Sequence, residues 1–263
     1  MTDTVLAYAK INWSLRITGK RADGYHDLET LFQTISLHDT LTFVESDHLS
    51  LTCDDPTIPV DDRNLVLRAA RAVDAHAVAI ALHKEIPSGG GLGGGSSDAA
   101  ATLLALGRPP LEAIALSLGS DVPFFLLGGT AYATGRGEVL TSMPRLSGIP
   151  LLLLMPKERV NTSRAFAMIG RFSPPLGATQ YRSMVEDDLL SHTAELVNDF
   201  EEPIFNMLPQ LRVLKAGLYE AGAAWAGMTG SGSTIVGAFR TIADRDAARA
   251  RFPEVRVVGA QTL

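Results

Sequence analysis

The chain of 263 residues carries 23 Lys and Arg against 29 Asp and Glu, a net charge of -6 at pH 7, with 46% hydrophobic and 20% charged residues. That is ordinary globular composition, enough for one large domain or two modest ones, and its acidic balance argues against general nucleic-acid binding. The single cysteine, Cys53, excludes an intrachain disulfide and suits a reducing cytoplasm.

Met1-Thr2-Asp3-Thr4 lacks the basic and apolar pattern of a signal peptide. Val5 to Thr18 reads as strand material closed by a turn at Gly19, and Asp23-Gly24 makes a second turn that presents Tyr25 and His26. Thr30 to Ser36, Thr40 to Val44 and Leu49 to Cys53 read as strands. Asp61 and Asp62 precede a helix with Val66, Ala69, Ala70 and Val73 at helical spacing. Ala77 to Ile86 reads as a strand with Lys84-Glu85 near its end. After a glycine run, Ser96 and Ser97 are suited to cap a helix that ends at Gly107. Leu111 to Leu118 forms another helix, and Asp121 with Pro123 opens a short segment broken by Gly128-Gly129 before a strand at Thr130 to Ala133.

A boundary near Ser147-Gly148 divides the chain into 1–147 and 148–263. The second part opens with the apolar strand Pro150 to Met155, far short of a membrane span. Inserted helical stretches follow, then a helix at Met207 to Ala221 and a strand at Ala223 to Met228. A Gly230-Ser231-Gly232 turn, a strand at Thr234 to Phe239, a helix at Ile242 to Arg251 and a strand at Val255 to Val258 complete it. The order βαββαβ is that of a ferredoxin-like half.

The stretch Pro87-Ser88-Gly89-Gly90-Gly91-Leu92-Gly93-Gly94-Gly95-Ser96-Ser97 organises the rest. Glycine loses more conformational freedom on folding than any other residue, so an ordered run needs a purpose. Strand, glycine loop and helix start together let backbone N–H groups surround an anion, with the helix N-terminus adding partial positive charge. Phosphate is the expected guest. The Walker form does not apply, because Gly95 precedes Ser96 with no lysine. Lys10, Arg16, Lys20 and Arg21 supply a local cation cluster for a polyanionic small substrate.

The loop P-x-x-x-G-L-G-G-G-S-S resembles the signature of the GHMP kinases. Ala9-Lys10-Ile11-Asn12 and Gly19-Lys20-Arg21-Ala22-Asp23-Gly24-Tyr25-His26 narrow the resemblance to the 4-diphosphocytidyl-2-C-methyl-D-erythritol kinases of the non-mevalonate isoprenoid pathway. Leu118-Gly119-Ser120-Asp121-Val122-Pro123-Phe124, Asn198-Asp199-Phe200-Glu201 and Thr229-Gly230-Ser231-Gly232 are similar to further blocks of that family. Tyr8 departs from it, standing where the family usually has proline.

The resemblance implies an α+β, two-domain GHMP kinase fold with a ribosomal-protein-S5-domain-2-like N-terminal half and a ferredoxin-like C-terminal half. It implies ATP with Mg2+ as cofactors and a small-molecule alcohol as substrate, with no nucleic-acid or membrane partner. The alternatives are another kinase of the superfamily, acting on mevalonate or homoserine, and a nucleotide-binding protein of the same fold without catalysis. Lys10 and Asp121 match the catalytic pair, in which a lysine favours the alkoxide-like acceptor and a carboxylate takes its proton. Asp121 is equally placed to cap a helix, and Lys10 to snorkel at the surface. Tyr25, His26 and Phe166 match a cytosine pocket, although Phe166 also reads as a helix core residue. Asn12 matches a substrate contact. Asn64, Leu65 and Val66 match adenine contacts, with Asn64 also a possible helix N-cap. Pro87 to Ser97 match the phosphate loop. Asp98 either faces away from the phosphates or assists the magnesium.

Overall fold

The structure, a computed structural model, describes residues 2–263; Met1, first of the residues read for a leader, lies outside them. The elements in order are β1 (Thr2–Lys20), β2 (His26–Glu45), β3 (Ser50–Cys53), α1 (Leu65–Ala72), β4 (Val78–His83), α2 (Gly94–Leu106), α3 (Glu112–Leu118), α4 (Val122–Leu127), β5 (Thr130–Thr134) and β6 (Val139–Ser142). They continue with β7 (Pro150–Met155), α5 (Thr162–Ala167), α6 (Ala178–Glu186), a 3-10 turn at Leu189–Ser191, α7 (Glu201–Met207), α8 (Pro209–Glu220), β8 (Trp225–Met228), β9 (Ile235–Ala238), α9 (Ile242–Arg249) and β10 (Arg256–Gln261). The chain packs as two compact units. One takes in the chain up to Ala9, residues 37–88 and 93–128; the other takes in residues 10–36, 89–92 and 129–263. The long strands β1 and β2 run through both.

In the first unit, residues 40–45 of β2 pair antiparallel with β4, and β4 pairs parallel with β3. Alternate residues Leu41 and Phe43 of β2 and Ile80 and Leu82 of β4 point to one face, where Val66, Leu67 and Ala70 of α1 meet them. The period of two in the strands and of three to four in the helix makes that meeting possible. On the other side of α1, Ala69 packs with Ala99, Ala100 and Leu103 of α2, Ala115 of α3 and Val122 of α4. The small residues of α2 let neighbouring helices approach it closely, and it is buried from Ser97 through Leu103.

In the second unit, residues 30–33 of β2 pair antiparallel with β5, which pairs with β6. The four-stranded sheet has the order β10-β7-β9-β8, every neighbouring pair antiparallel. With α8 and α9 as its helices, this is the ferredoxin-like arrangement expected from the element order. Strand β7 lies inside that sheet and is buried along its whole length, which explains its unbroken apolar run. Leu152, Leu154, Leu218, Ile235 and Phe239 share its core with Phe200 and Ile204.

Three local expectations are corrected. The two strands expected at 30–36 and 40–44 are one strand of 20 residues. The intervening Asp39 is fully buried in the strand because it accepts hydrogen bonds from the backbone N–H groups of Glu85 (2.6 Å) and Ile86 (2.8 Å). Strand β6 was not expected at all. Helix α2 begins at Gly94 with Gly93 as N-cap, so Ser96 and Ser97 lie inside it. The Ser97 hydroxyl donates instead to the Tyr8 carbonyl at 2.6 Å.

Candidate active site

Alternate glycines of the loop, Gly89, Gly91 and Gly93, have φ of +72°, +77° and +74°. Gly91 has a second constraint, since a Cβ there would overlap the Thr229 carbonyl oxygen. Gly93 turns the chain into α2 through a left-handed conformation and accepts the Ser97 N–H at 2.9 Å. The amides of Gly94, Gly95 and Ser96 in the first turn have no carbonyl one turn earlier to bond, and the N-cap, Gly93, has no side chain to cap them. Phosphate is repelled by carbonyl oxygens, and the three in the loop's centre are occupied. Gly90 accepts from the Thr234 N–H (3.3 Å), Gly91 from the Thr229 hydroxyl (3.1 Å) and Leu92 from the Lys10 N–H (3.0 Å). The result is a segment with donors left over and acceptors taken, which suits an anion.

Pro87 and Ser88 are half-buried where the strand feeds this loop. Asn64 caps α1, accepting from the Val66 N–H at 2.9 Å and donating to the Pro59 carbonyl at 2.7 Å. Val66 is core, while the Leu65 Cδ1 lies 4.0 Å from where a Cβ on Gly95 would sit. The packing therefore brings residues 64–66 beside the start of α2.

Lys10 is buried, so the surface reading of this lysine fails. Its Nζ donates to the Asn12 Oδ1 at 2.6 Å and lies 5.3 Å from the centroid of the Phe32 ring. Asn12 is itself occupied: its Oδ1 also accepts from the Gly230 N–H (3.0 Å), and its Nδ2 donates to the Thr30 hydroxyl (2.7 Å). The amide expected to touch substrate thus also holds the Lys10 ammonium. Thr229 accepts from the Asn12 N–H at 3.1 Å, so the Thr229-Gly230-Ser231-Gly232 turn fastens both Lys10's strand and the glycine loop.

Asp121 occupies the N-cap position of α4, but its side chain makes no capping hydrogen bond. It belongs to the first unit and Lys10 to the second.

Asp98 is buried under the start of α2, with its Oδ2 accepting from the Lys84 ammonium at 2.8 Å and its Oδ1 lacking any hydrogen-bond partner. Lys84 also pairs with Asp39. Burial pushes the Asp98 carboxyl up to about 7, against the opposing pull of Lys84. Burial disfavours the Lys84 ammonium, but the charges of Asp98 and Asp39 outweigh it and raise its pKa. Sequence reasoning saw Asp98 and Lys84 separately and missed Asp39, whose only signal was an aspartate inside an apolar strand pattern.

His26 and Phe166 come together as a stacked pair, centroids 5.1 Å apart and planes 18° from parallel. Phe166 also meets Phe200 edge-on at 4.9 Å and packs against the core of its unit. Tyr25 is 55% exposed, with the Arg136 guanidinium 4.8 Å from its ring centroid. The Phe172 ring lies 6.3 Å from that of His26. Neither Arg136 nor Phe172 carried a sequence signal. Burial, and secondarily Lys20, lowers the His26 pKa below its ordinary value, favouring a neutral ring with one donor and one acceptor.

The remaining blocks are structural. Asn198 donates to the carbonyls of Met228 (2.7 Å) and Gly230 (2.8 Å), Asp199 accepts the Ile17 N–H (2.7 Å), and Glu201 accepts the Met228 N–H (2.8 Å). The expected cation cluster does not form as a free patch. Arg16 is buried and donates to the Glu195 carbonyl (2.9 Å), and Arg21 is paired with Asp23 and Asp27 (3.1 Å each).

Comparison with known proteins bears on these features. The chain matches the GHMP kinases N terminal domain over residues 64–129 and the GHMP kinases C terminal domain over residues 185–256. It is 41% identical to a 4-diphosphocytidyl-2-C-methyl-D-erythritol kinase of Chlorobium phaeobacteroides (strain BS1), covering 95% of this chain and 94% of the relative. It is 42% identical to the kinase of that name from Prosthecochloris aestuarii (strain DSM 271 / SK 413), covering 94% and 92%. A crystal structure of 4-(cytidine 5'-diphospho)-2C-methyl-D-erythritol kinase is similar with a TM-score of 0.88 at 34% identity, covering 99% of each chain. A homoserine kinase from Cytophaga hutchinsonii shares the fold alone, with a TM-score of 0.70 at 18% identity over 100% of this chain and 94% of its own.

Proposed function

Because the chain belongs to the GHMP kinases, and within them to the 4-diphosphocytidyl-2-C-methyl-D-erythritol kinases, we propose that it transfers the γ-phosphate of ATP to the 2-hydroxyl of 4-diphosphocytidyl-2-C-methyl-D-erythritol. It is an ATP-dependent phosphotransferase with an alcohol acceptor, acting in non-mevalonate isoprenoid synthesis. The observation that carries the reading is the 41% identity to a kinase of that name over nearly the full length of both chains. A reducing cytoplasm is the compartment that suits it. Among the described residues, no helix is long and apolar enough to cross a membrane.

The assigned roles follow the chemistry. The amides of the glycine loop and of the start of α2 hold the phosphates of ATP, with residues 64–66 beside the adenine. Lys10, oriented by Asn12, stabilises the developing negative charge on the acceptor oxygen. Asp121 takes the hydroxyl proton as the oxygen attacks the γ-phosphorus and the bond to the β-phosphate oxygen breaks, releasing ADP. Tyr25, His26 and Phe166 take the cytosine between an aromatic face and an imidazole edge.

Magnesium, when bound, would neutralise negative charge on the transferring phosphates. Asp98 does not fit as its ligand, because one oxygen is held by Lys84 and the side chain is buried. Among the described residues no three His, Cys, Asp or Glu side chains cluster for a metal, and magnesium with ATP relies mainly on phosphates and water. No residue of this chain is therefore assigned to it.

The test is ADP release measured over a panel of alcohols containing the cytidine substrate, mevalonate and homoserine. Turnover is expected with the cytidine substrate alone. Faster turnover of mevalonate or homoserine would overturn the assignment.

A further inference from the structure

We propose that Lys84 is a positioning residue for the nucleotide loop: held between Asp39 and Asp98, it ties the end of β4, which leads into the loop, to the first turns of α2, which lead out of it. The proposal rests on reading the glycine loop as the phosphate cradle.

The geometry is a bridge with two anchored ends. On the strand side, Asp39 Oδ1 accepts the N–H groups of Glu85 and Ile86 at 2.6 and 2.8 Å, fixing the last backbone before Pro87. Its Oδ2 takes the Lys84 ammonium. On the helix side, the same ammonium reaches Asp98 at 2.8 Å and lies 3.3 Å from where a Cβ on Gly94 would sit. Lys84 is thus seated directly beneath the first turn, whose amides are the open donors of the loop. Ile86 packs against the same point, 2.9 Å from the Gly94 Cβ position.

Stability does not account for this arrangement. The side chains of Lys84, Asp39 and Asp98 are 6%, 0% and 4% exposed, so three ionisable groups have left water. Buried ion pairs gain little over well-packed apolar residues, because desolvation offsets their attraction. Here two carboxylates share one ammonium, and Asp98 Oδ1 is left with no partner at all. What the bridge does supply is a fixed distance between the two ends of a loop that is otherwise nearly all glycine. Seven residues with so little intrinsic preference would sample many conformations, and a ligand binds only the competent one. The bridge holds that one before ATP arrives. It also answers why an acid sits beneath an anion site: its oxygen is directed at Lys84 rather than at the phosphates, and burial holds back its ionisation.

The test is calorimetric binding of ADP with steady-state kinetics. Asp98→Ala releases the helix end and removes the unpartnered oxygen, and alanine favours the helix, so this variant folds. If the competent fraction of the loop falls to about a tenth, the Kd for ADP and the KM for ATP rise about tenfold. The loss falls on KM for ATP rather than on kcat or on KM for the alcohol. Asp98→Asn keeps an oxygen for Lys84 and returns the Kd most of the way to wild type, whereas Lys84→Met follows Asp98→Ala. Wild-type ADP affinity in Asp98→Ala overturns the proposal. Gly93→Val separates the two readings. If it leaves ADP affinity unchanged, the loop is not the cradle; if it weakens binding while Asp98→Ala does not, only the bridge fails.

Discussion

The surroundings of Lys10 and of Tyr25 are built in opposite ways. Lys10 is buried, its ammonium held by Asn12, and Asn12 is fixed in turn by Gly230 and Thr30. Tyr25 is mostly exposed, on a turn, with a guanidinium over its ring. A group that must aim at a reacting atom gains from a network set before substrate binds. A ring that stacks on a base tolerates small rotations, so it needs no such frame. On the roles proposed for Lys10 and Tyr25, pre-organisation is spent at the reacting oxygen and relaxed at the base.

The largest effect expected is at Asp121. As proton acceptor, Asp121→Asn lowers kcat by about 10²–10⁴-fold while ADP binding holds. Its side chain makes no capping bond, so the fold does not depend on it as a cap. A variant with native melting temperature and near-native kcat removes Asp121 from catalysis.

Gly91→Ala probes the rigid side. The new Cβ meets the Thr229 carbonyl oxygen at a φ of +77°. Backbone strain of this kind costs about 1–3 kcal/mol. At roughly 2–4 °C per kcal/mol for a chain of this size, a melting scan registers it clearly, and ADP binding weakens with it. An unchanged melting temperature would mean that the loop and the Thr229 turn are not rigidly joined.

Tyr25→Ala probes the adaptable side. It leaves the melting temperature unchanged and raises KM for the cytidine substrate by the ~1–3 kcal/mol of one base–aromatic stack. Arg136→Ala acts through that ring and has a smaller effect, about 0.5–1 kcal/mol as for an exposed cation–π contact. If Arg136→Ala exceeds Tyr25→Ala, the arginine binds substrate directly and the tyrosine does not lead.

A further effect is a slope. Folded Asp98 keeps its proton up to about pH 7, whereas the unfolded chain releases it near the ordinary value of 3.8. Between those limits the folded state binds more protons, so stability falls as pH rises. Asp98→Asn removes this dependence, and the melting temperature of the variant relative to wild type should climb from pH 5 to pH 8. Parallel curves would mean that Asp98 does not titrate in that window.

What the sequence determined by itself was local or periodic. Glycines between a strand and a helix, the buried run of β7, the βαββαβ order and the turn presenting Tyr25 and His26 are all set by neighbours in the chain. Tertiary packing decided the rest. Asp39 falls between two expected strands, and they join only because the amides of Glu85 and Ile86, distant in sequence, arrive to satisfy it. Asn12 has no partner legible in the sequence until the Gly230 N–H reaches its oxygen. Ser96 and Ser97 look like caps until Gly93, free to adopt φ of +74°, starts the helix earlier. In each case a polar group had several possible partners along the chain, and burial selected the one that came from elsewhere, because an unpaired polar group cannot be left in the interior without penalty.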